Sequence, residues 1–361
     1  ITMMNIDVKQ LEMAKRIYNG KMTQELDKDG NVIASDELAL KKLVNSAFDN
    51  NGQINNYQAY RDLNRLIVVS AEEFGKADFQ AVVNVFADYE KVGLNDIKIY
   101  ELPVNRKQTT IKATATGAGV DFTRIPSYKK QEVAVPAKHQ FGVKYNISRM
   151  ISDPINEFGN AVNYVREEKV KYILSQIYTI AREYAGVGVA KIPTKQTYSG
   201  AGITFPEFRA IESSLLRYGR NARPVLIADP AFIANLADKQ ATVFVSGTTT
   251  PQYLTDELKT SLLSDVVYEQ IGRTIAINLD NPYTDKMNSK VDLPVNEGIM
   301  IAGGTTSPFK VTEFGDLMLL EDSIQNHIET EDVFLKISYK VDVTLIATQA
   351  IAYIKDTSVK L

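Results

Sequence analysis

Near its C-terminal end the chain alternates apolar and polar positions without a break. Val333, Leu335, Ile337, Tyr339, Val341, Val343 and Leu345 are apolar or aromatic, and from Lys336 onward the residues between them are Lys, Ser, Lys, Asp and Thr. Strict period two predicts a strand of more than a dozen residues with one buried and one wet face. Residues 153–184 follow the helical period instead. Phe158, Val162, Val165, Tyr172, Ile173, Ile177, Ile180 and Tyr184 mark one face, and Asn163, Arg166, Glu167, Glu168, Lys169 and Lys171 form an exposed charged side. Ser152-Asp153-Pro154 opens this helix with a capping residue and a first-turn proline, whose missing N–H costs nothing there. Gly186 and Gly188 close it. About thirty residues at about 1.5 Å each make a rod of about 45 Å. Its apolar stripe is the natural cover for the dry face of the C-terminal strand.

The remaining segments read less cleanly. Residues 1–95 show short helical faces: Val8, Leu11, Ala14 and Ile17; Leu38 to Phe48; Tyr60 to Val69; and Phe79 to Tyr89. Breaks at Asp29-Gly30-Asn31 and Asp49-Asn50-Asn51-Gly52 separate them, as in a set of small packed helices or an arm. From Ile97 to Met150 helical period gives way to alternation, at Thr109 to Thr114 and again through Val133, Val135, Phe141, Val143, Tyr145 and Ile147. This predicts a long two-stranded ribbon. A lone ribbon is marginal in water, so it is expected to lie on another surface. Residues 204–320 are mixed: a helix from Phe208 to Leu216, a strand at Pro224–Ala228, a helix from Ala231 to Lys239 and another from Leu254 to Leu263. Strands follow at Ile271–Ile277 and Gly298–Gly303.

Charge changes this picture in two places. The whole chain, 361 residues with a net charge of −3, gives no bulk attraction for nucleic acid. Residues 101–150, however, carry nine Lys or Arg against three acids, and residues 313–332 carry seven acids and no Lys or Arg. A basic ribbon can meet nucleic acid or an acidic protein surface. A repeated contact between the ribbon of one copy and the acidic strip of the next would generate a closed or extended assembly. The contact candidates are Arg124, Lys129, Lys130 and Lys138 on the basic side, and Glu329, Glu331 and Asp332 on the acidic side. The bland alternative is that both are simply solvated.

Candidate chemistry is sparse. The chain has no cysteine, which excludes disulfides, thiolate metal sites and cysteine nucleophiles. Its two histidines, His139 and His327, stand in no catalytic constellation. Gly303-Gly304-Thr305-Thr306 follows a strand without a lysine to reach a phosphate, and Gly186-Val-Gly follows a helix, the wrong side for a dinucleotide. Glu25 to Asp36, with Asp27, Asp29 and Gly30, imitates a calcium loop with weak ends; an Asp-Gly turn between two short elements explains it equally well. No catalytic, cofactor or metal site is expected. The absence of an 18-residue apolar run or a signal pattern points to a cytoplasm or something assembled in one. Ile1 in place of an initiator Met fits either the loss of an upstream piece or an arbitrary start.

The order of parts resembles the major capsid proteins of tailed bacteriophages, which share the Hong Kong 97-type fold. The stretches that carry it are Ile125-Pro-Ser-Tyr-Lys-Lys to Ser148-Arg-Met-Ile-Ser-Asp-Pro, Arg223-Pro-Val-Leu-Ile-Ala-Asp-Pro-Ala-Phe-Ile-Ala-Asn-Leu, Leu293-Pro-Val-Asn-Glu-Gly-Ile-Met-Ile-Ala-Gly, and Phe334 to Tyr353. The resemblance implies an α+β fold divided into an N-terminal arm or helical extension (1–96), an extended β loop lying over a neighbouring subunit (97–150), a spine helix and link (151–202), an α/β axial domain (203–312) and peripheral strands (313–361). It implies a non-enzymatic subunit that assembles with itself, as hexamers and pentamers, into an icosahedral virion shell around packaged DNA. Assembly would take place in the host bacterial cytoplasm. Scaffolding, portal or decoration proteins are the further partners it implies. An encapsulin-type nanocompartment shell is the first alternative, and a soluble α/β enzyme or binding module the second.

Overall fold

The computed structural model describes residues 8–26, 32–49, 52–74, 84, 86–101, 131–186, 191–245, 270–304, 307–320 and 332–361. In chain order the first elements are α1 (Val8–Tyr18), β1 (Gln24–Leu26), β2 (Val32–Ser35), α2 (Asp36–Ala47), α3 (Tyr57–Phe74), β3 (Ala87–Val92), β4 (Ile99–Glu101) and β5 (Gln131–Val133). Next come β6 (Ala137–Asn146), α4 (Ile147–Ser152), α5 (Pro154–Ala185), β7 (Thr197–Gly200), α6 (Phe205–Tyr218), β8 (Val225–Ala228) and α7 (Pro230–Val245). The last are β9 (Gln270–Ile271), β10 (Thr274–Asn278), β11 (Glu297–Ile301), β12 (Phe309–Phe314), β13 (Met318–Leu320), β14 (Asp332–Leu345) and β15 (Ile351–Asp356). The architecture is α+β. It divides into two compact units, one of Ile1–Asp96, Pro136–Ile177 and Val311–Asp342, the other of Ile97–Val135, Tyr178–Lys310 and Val343–Leu361.

The first unit is built on the alternating C-terminal strand. β14 joins a sheet of order β13-β14-β12-β3, and β6 pairs with it in antiparallel register from Asp332↔Asn146 to Val341↔Ala137. Val333, Leu335, Ile337, Tyr339 and Val341 are buried as the alternation predicts. The strict pattern then lapses: Val343 is half-buried, while Ser338 and Thr344, on the expected wet side, are buried. The long helix α5 starts where expected. Asp153 accepts from the Asn156 N–H through Oδ1 at 3.4 Å, in keeping with a cap ahead of Pro154. Its stripe buries Phe158, Val162, Val165, Ile173 and Ile177, and Tyr172 meets Tyr339 of β14 edge-on at 5.7 Å between ring centres.

Three expectations are corrected in this unit. Lys169, assigned to the exposed charged side of the helix, is buried, because a buried carboxylate waits opposite it (below). The helix expected from Phe79 to Tyr89 is helical at Asn84 and Phe86 but ends sooner than its spacing suggests, since Ala87–Val92 is the strand β3; residues 79–83 and 85 lie outside the described ones. The alternating stretch assigned to one ribbon divides in two. Gln131–Val133 pairs with Ile99–Glu101, as a ribbon requires, whereas Phe141, Val143 and Tyr145 belong to β6 on the C-terminal strand. Alternation fixes which residues share a face and leaves the pairing partner open. Residues 109–119 lie outside the described residues.

The N-terminal helices pack on one another, α1 and α2 both against α3. They are also tied to the rest of the unit: the Tyr145 hydroxyl donates to Asn64 Oδ1 at 2.7 Å, and that of Tyr18 to Asn163 Oδ1 at 2.9 Å.

The second unit holds a six-stranded sheet of order β7-β15-β11-β8-β10-β9, with β7/β15 and β8/β10 parallel. Helix α6 opens with a capping box, Thr204 and Glu207, and supplies Phe208 and Leu215 to a core shared with Phe232, Leu226, Met300 and Ile354. The helix expected at Leu254–Leu263 lies outside the described residues. Gly303 follows β11 where no side chain fits: a Cβ there would lie 2.1 Å from the Arg223 carbonyl oxygen. That close approach explains the glycine without any phosphate.

Asp356, at the end of β15, is fully buried. It accepts from the N–H groups of Gly202 (2.7 Å), Ile203 (2.9 Å) and Ser358 (2.9 Å), the Ser358 hydroxyl (2.5 Å) and Lys239 Nζ (2.8 Å). Burial alone would raise its pKa; the Lys239 ammonium and the Ser358 and Gly202 donors outweigh it and hold the carboxyl well below the usual carboxylate range. Asp356→Ala is expected to cost about 3 kcal/mol, because it strands Lys239 and several N–H groups. A depressed folded-state pKa contributes stability that is complete above the unfolded value near 4 and fades as pH falls below it. Urea unfolding at pH 7 and pH 3 should therefore show a difference between wild type and variant that shrinks in acid.

Candidate functional site

The charged residues singled out by the sequence fall into three groups. Arg124, Lys129, Lys130, Glu329, Glu331 and His327 lie outside the described residues. Lys138 is described, and it stands in β6, one strand of the sheet, exposed and directly opposite Lys340 of β14. Asp332 opens β14 and is engaged within its own chain: Oδ2 accepts from Lys144 Nζ and Oδ1 from Asn146 Nδ2, both at 3.3 Å.

Two further members of the acidic strip prove to be paired within the chain, one of them buried. Glu313, on β12, is buried. It takes Lys169 Nζ of α5 at 2.8 Å on Oε2 and 2.9 Å on Oε1, and accepts from the Tyr89 hydroxyl of β3 at 2.5 Å. Burial first, then the Glu313 charge, pushes the Tyr89 phenol well above its ordinary pKa, so it remains a donor. Asp316 pairs with Lys91 at 2.6 Å, and Lys91 also reaches Glu72. Burial pushes the Glu72 carboxyl up in spite of that lysine. The local −7 therefore misstates what a partner meets, because Glu313 is buried on Lys169 and the exposed Asp316 is paired with Lys91. Sequence order placed them beside the strip; only the fold reveals the lysines opposite.

His139 is a packing residue. Its ring lies 4.5 Å from that of Tyr172, centre to centre, with the Tyr172 hydroxyl 2.7 Å from Nδ1, and burial lowers its pKa. The calcium reading fares no better at its one described end ligand beyond Glu25. Asp36 is buried and bidentate with Arg16 at 2.7 and 2.9 Å, and also accepts from the Thr23 N–H at 2.9 Å, which together hold its pKa down to about 2. Asp27 and Asp29 lie outside the described residues. Among the described residues no group of three or more His, Asp and Glu could hold a metal ion, and no helix is long and apolar enough to cross a membrane.

What remains is a charged sheet face. Lys138, Gln140 and Lys144 of β6 alternate toward the same side as Lys336, Ser338 and Lys340 of β14, by the observed register. Four of these six side chains are lysines, so the face presents concentrated positive charge. Lys340 was passed over in the sequence, although it stands among the polar positions of the alternating strand; its weight comes only from Lys138 opposite.

Comparison with known proteins places this architecture. Residues 9–355 match the model of a family described as "SPbeta prophage-derived putative capsid protein YonB". The chain belongs to this family. A protein of Bacillus subtilis (strain 168), named as the SPbeta prophage-derived uncharacterized protein YonB, is 31% identical over 355 residues, 98% of each chain. Among solved structures, the chain is similar to one from Microbacterium phage Oxtober96, with a TM-score of 0.46 and 9% identity, covering 74% of this chain and 88% of that one. It is also similar to the SrpI encapsulin of Synechococcus elongatus PCC 7942, with a TM-score of 0.43 and 11% identity, covering 78% and 89%. The family match bears out the resemblance to phage capsid proteins drawn from the order of parts.

The Lys169–Glu313 pair generates a prediction about the unit that carries this face. Lys169→Met leaves a buried carboxylate without its cation and should cost about 3–5 kcal/mol in urea unfolding. Adding Glu313→Leu should recover most of that loss, since two apolar residues replace the pair.

Proposed function

We propose that this chain is a major capsid protein of the Hong Kong 97 type, a subunit whose work is to assemble with itself into the icosahedral shell of a tailed phage around packaged DNA. The observation that carries the reading is the family match across residues 9–355, nearly the whole chain. The order of parts supports it independently: a 32-residue helix, α5, ahead of an α/β sheet and a 14-residue strand, β14. In this reading the segment between β4 and β5 is the extended loop laid on a neighbour. Residues 151–202 and 313–361 form the peripheral domain, 203–312 the axial domain, and 1–96 a helical extension. Copies form hexamers and pentamers in the host cytoplasm, with DNA on the inner face held without sequence specificity. Their contacts join basic to acidic surface, with Arg124, Lys129, Lys130 and Lys138 on one copy and Glu329, Glu331 and Asp332 on the next as the candidates. The protein acts as structure, without catalysis.

The test is the particle formed by purified or co-expressed protein, followed by sedimentation and negative-stain microscopy. The expected result is closed shells on the order of tens of nanometres across, or rings of five and six subunits, as closed symmetric assembly requires. Nuclease-protected DNA inside shells from infected or induced cells completes the reading. A persistent monomer of 40.2 kDa at every salt concentration, with its phage partners present, overturns it.

A further inference from the structure

A cleft of about 280 Å³ opens beside β14 within the first unit. Leu94, Phe314 and Met318 give it apolar walls, Ser338 stands on β14, and Lys138 and Lys340 border it. Asp316, the one acid in its lining, is already paired with Lys91. The two lysines are direct cross-strand partners. Like charges in that position repel and destabilise a sheet. Neither has an ion-pair partner among the described residues. An unneutralised pair of cations beside an apolar cleft is arranged for a ligand that brings carboxylates together with an apolar side chain.

We propose that this cleft receives the Ile328-Glu329-Thr330-Glu331 stretch of a second copy of the chain, with Lys138 and Lys340 taking its two carboxylates. The inference rests on the shell reading and sharpens it: the basic side of the contact lies on a sheet and includes Lys340, which the ribbon-centred set of candidates omits. Two arguments select this occupant. Residues 321–331 contain four acids, Glu321, Asp322, Glu329 and Glu331, and no Lys or Arg. In an extended segment Glu329 and Glu331 share one side and Ile328 takes the other, so that two carboxylates meet two ammonium groups while Ile328 is free for the cleft wall. The second argument is reach. Asp332 is tied to Asn146 and Lys144 at the start of β14, whereas Lys340 lies eight residues further along, about 26 Å at about 3.3 Å per residue. Glu329 is three residues from Asp332 and extends about 10 Å from it at most. Within its own chain it falls short of the cleft, and a second copy must supply it.

The chain's lack of cysteine allows a direct test. One preparation carries Lys340→Cys and the other Glu329→Cys; they are mixed before assembly, oxidised mildly and run without reductant. A covalent species of twice the chain mass is expected, at a yield well above that of a Lys9→Cys control mixed with Glu329→Cys. No excess over the control overturns the proposal. In parallel, Lys138→Glu with Lys340→Glu should lower the particle fraction about tenfold, since a small contact is multiplied around the shell. Adding Glu329→Lys and Glu331→Lys should restore it. Unchanged assembly in the first variant overturns the cleft contact while leaving the shell reading intact; failure of the wild-type protein to assemble at all removes the shell reading instead. If the variant assembles normally but its particles hold less DNA, the lysines serve nucleic acid and the proposal is wrong. Circular dichroism of each variant separates loss of contact from loss of fold, and Lys138→Met with Lys340→Met, which keeps both alkyl stems, repeats the test should the glutamates unfold the sheet.

Discussion

A strand of fourteen residues with one apolar face must be covered on that face and paired along its edges, or it becomes a template for aggregation. β14 meets both demands within the first unit. β6 pairs with it over ten residues, and β13 and β12 are its other neighbours in the sheet. Tyr339 on the dry face meets Tyr172 of the long helix, with Phe141 and His139 of β6 around it. Most of what distinguishes this unit follows from that requirement. Residues scattered from the N-terminal region to the C-terminal strand are gathered into one body because the strand needs partners that its local sequence cannot supply.

The legible part of the chain is the part governed by period. The long helix and the C-terminal strand follow from spacing alone, to within a residue or two, whereas the capping box at Thr204 that starts the first helix of the α/β region three residues ahead of Phe208 emerges only in the structure. What spacing does not specify is the partner. Phe141, Val143 and Tyr145 alternate as well as any ribbon would, and nothing in their pattern distinguishes a hairpin mate from a strand almost two hundred residues away. The same gap explains the charge errors. Lys169 stands among Glu167, Glu168 and Lys171 and looks solvated; Glu313 opens an acidic run and looks exposed. Each is buried because the other is, and neither fact exists in the sequence until β12 and the long helix are brought together. Of the candidate contact residues, Lys138 and Asp332 changed meaning for the same reason, one by gaining Lys340 as a neighbour and the other by finding Lys144.

Buried charge here is a device of specificity more than of strength. A Lys–Glu pair with a tyrosine donor is at best weakly stabilising after desolvation, yet it is satisfied in one arrangement of β3, β12 and the helix. An apolar trio would tolerate sliding. Asp356 and Glu212 are buried carboxylates satisfied in the same manner as Glu313, by donors from separate segments of the chain. Glu212 is buried in α6 and accepts from the Arg273 N–H at 2.6 Å and the Thr274 hydroxyl at 2.8 Å, fixing a helix against the turn between β9 and β10.

The place of β15 in the second sheet has a consequence for biosynthesis. It lies between β7 and β11, pairing in parallel with one and antiparallel with the other, although more than 150 residues separate it from β7. On the ribosome, β7 and β11 emerge without the strand that belongs between them, and the Gly202 and Ile203 amides wait for Asp356. Contacts so distant in sequence form late and slowly. A nascent chain is thus held back from the final shape of this sheet until β15 has been synthesised and can enter between its two neighbours.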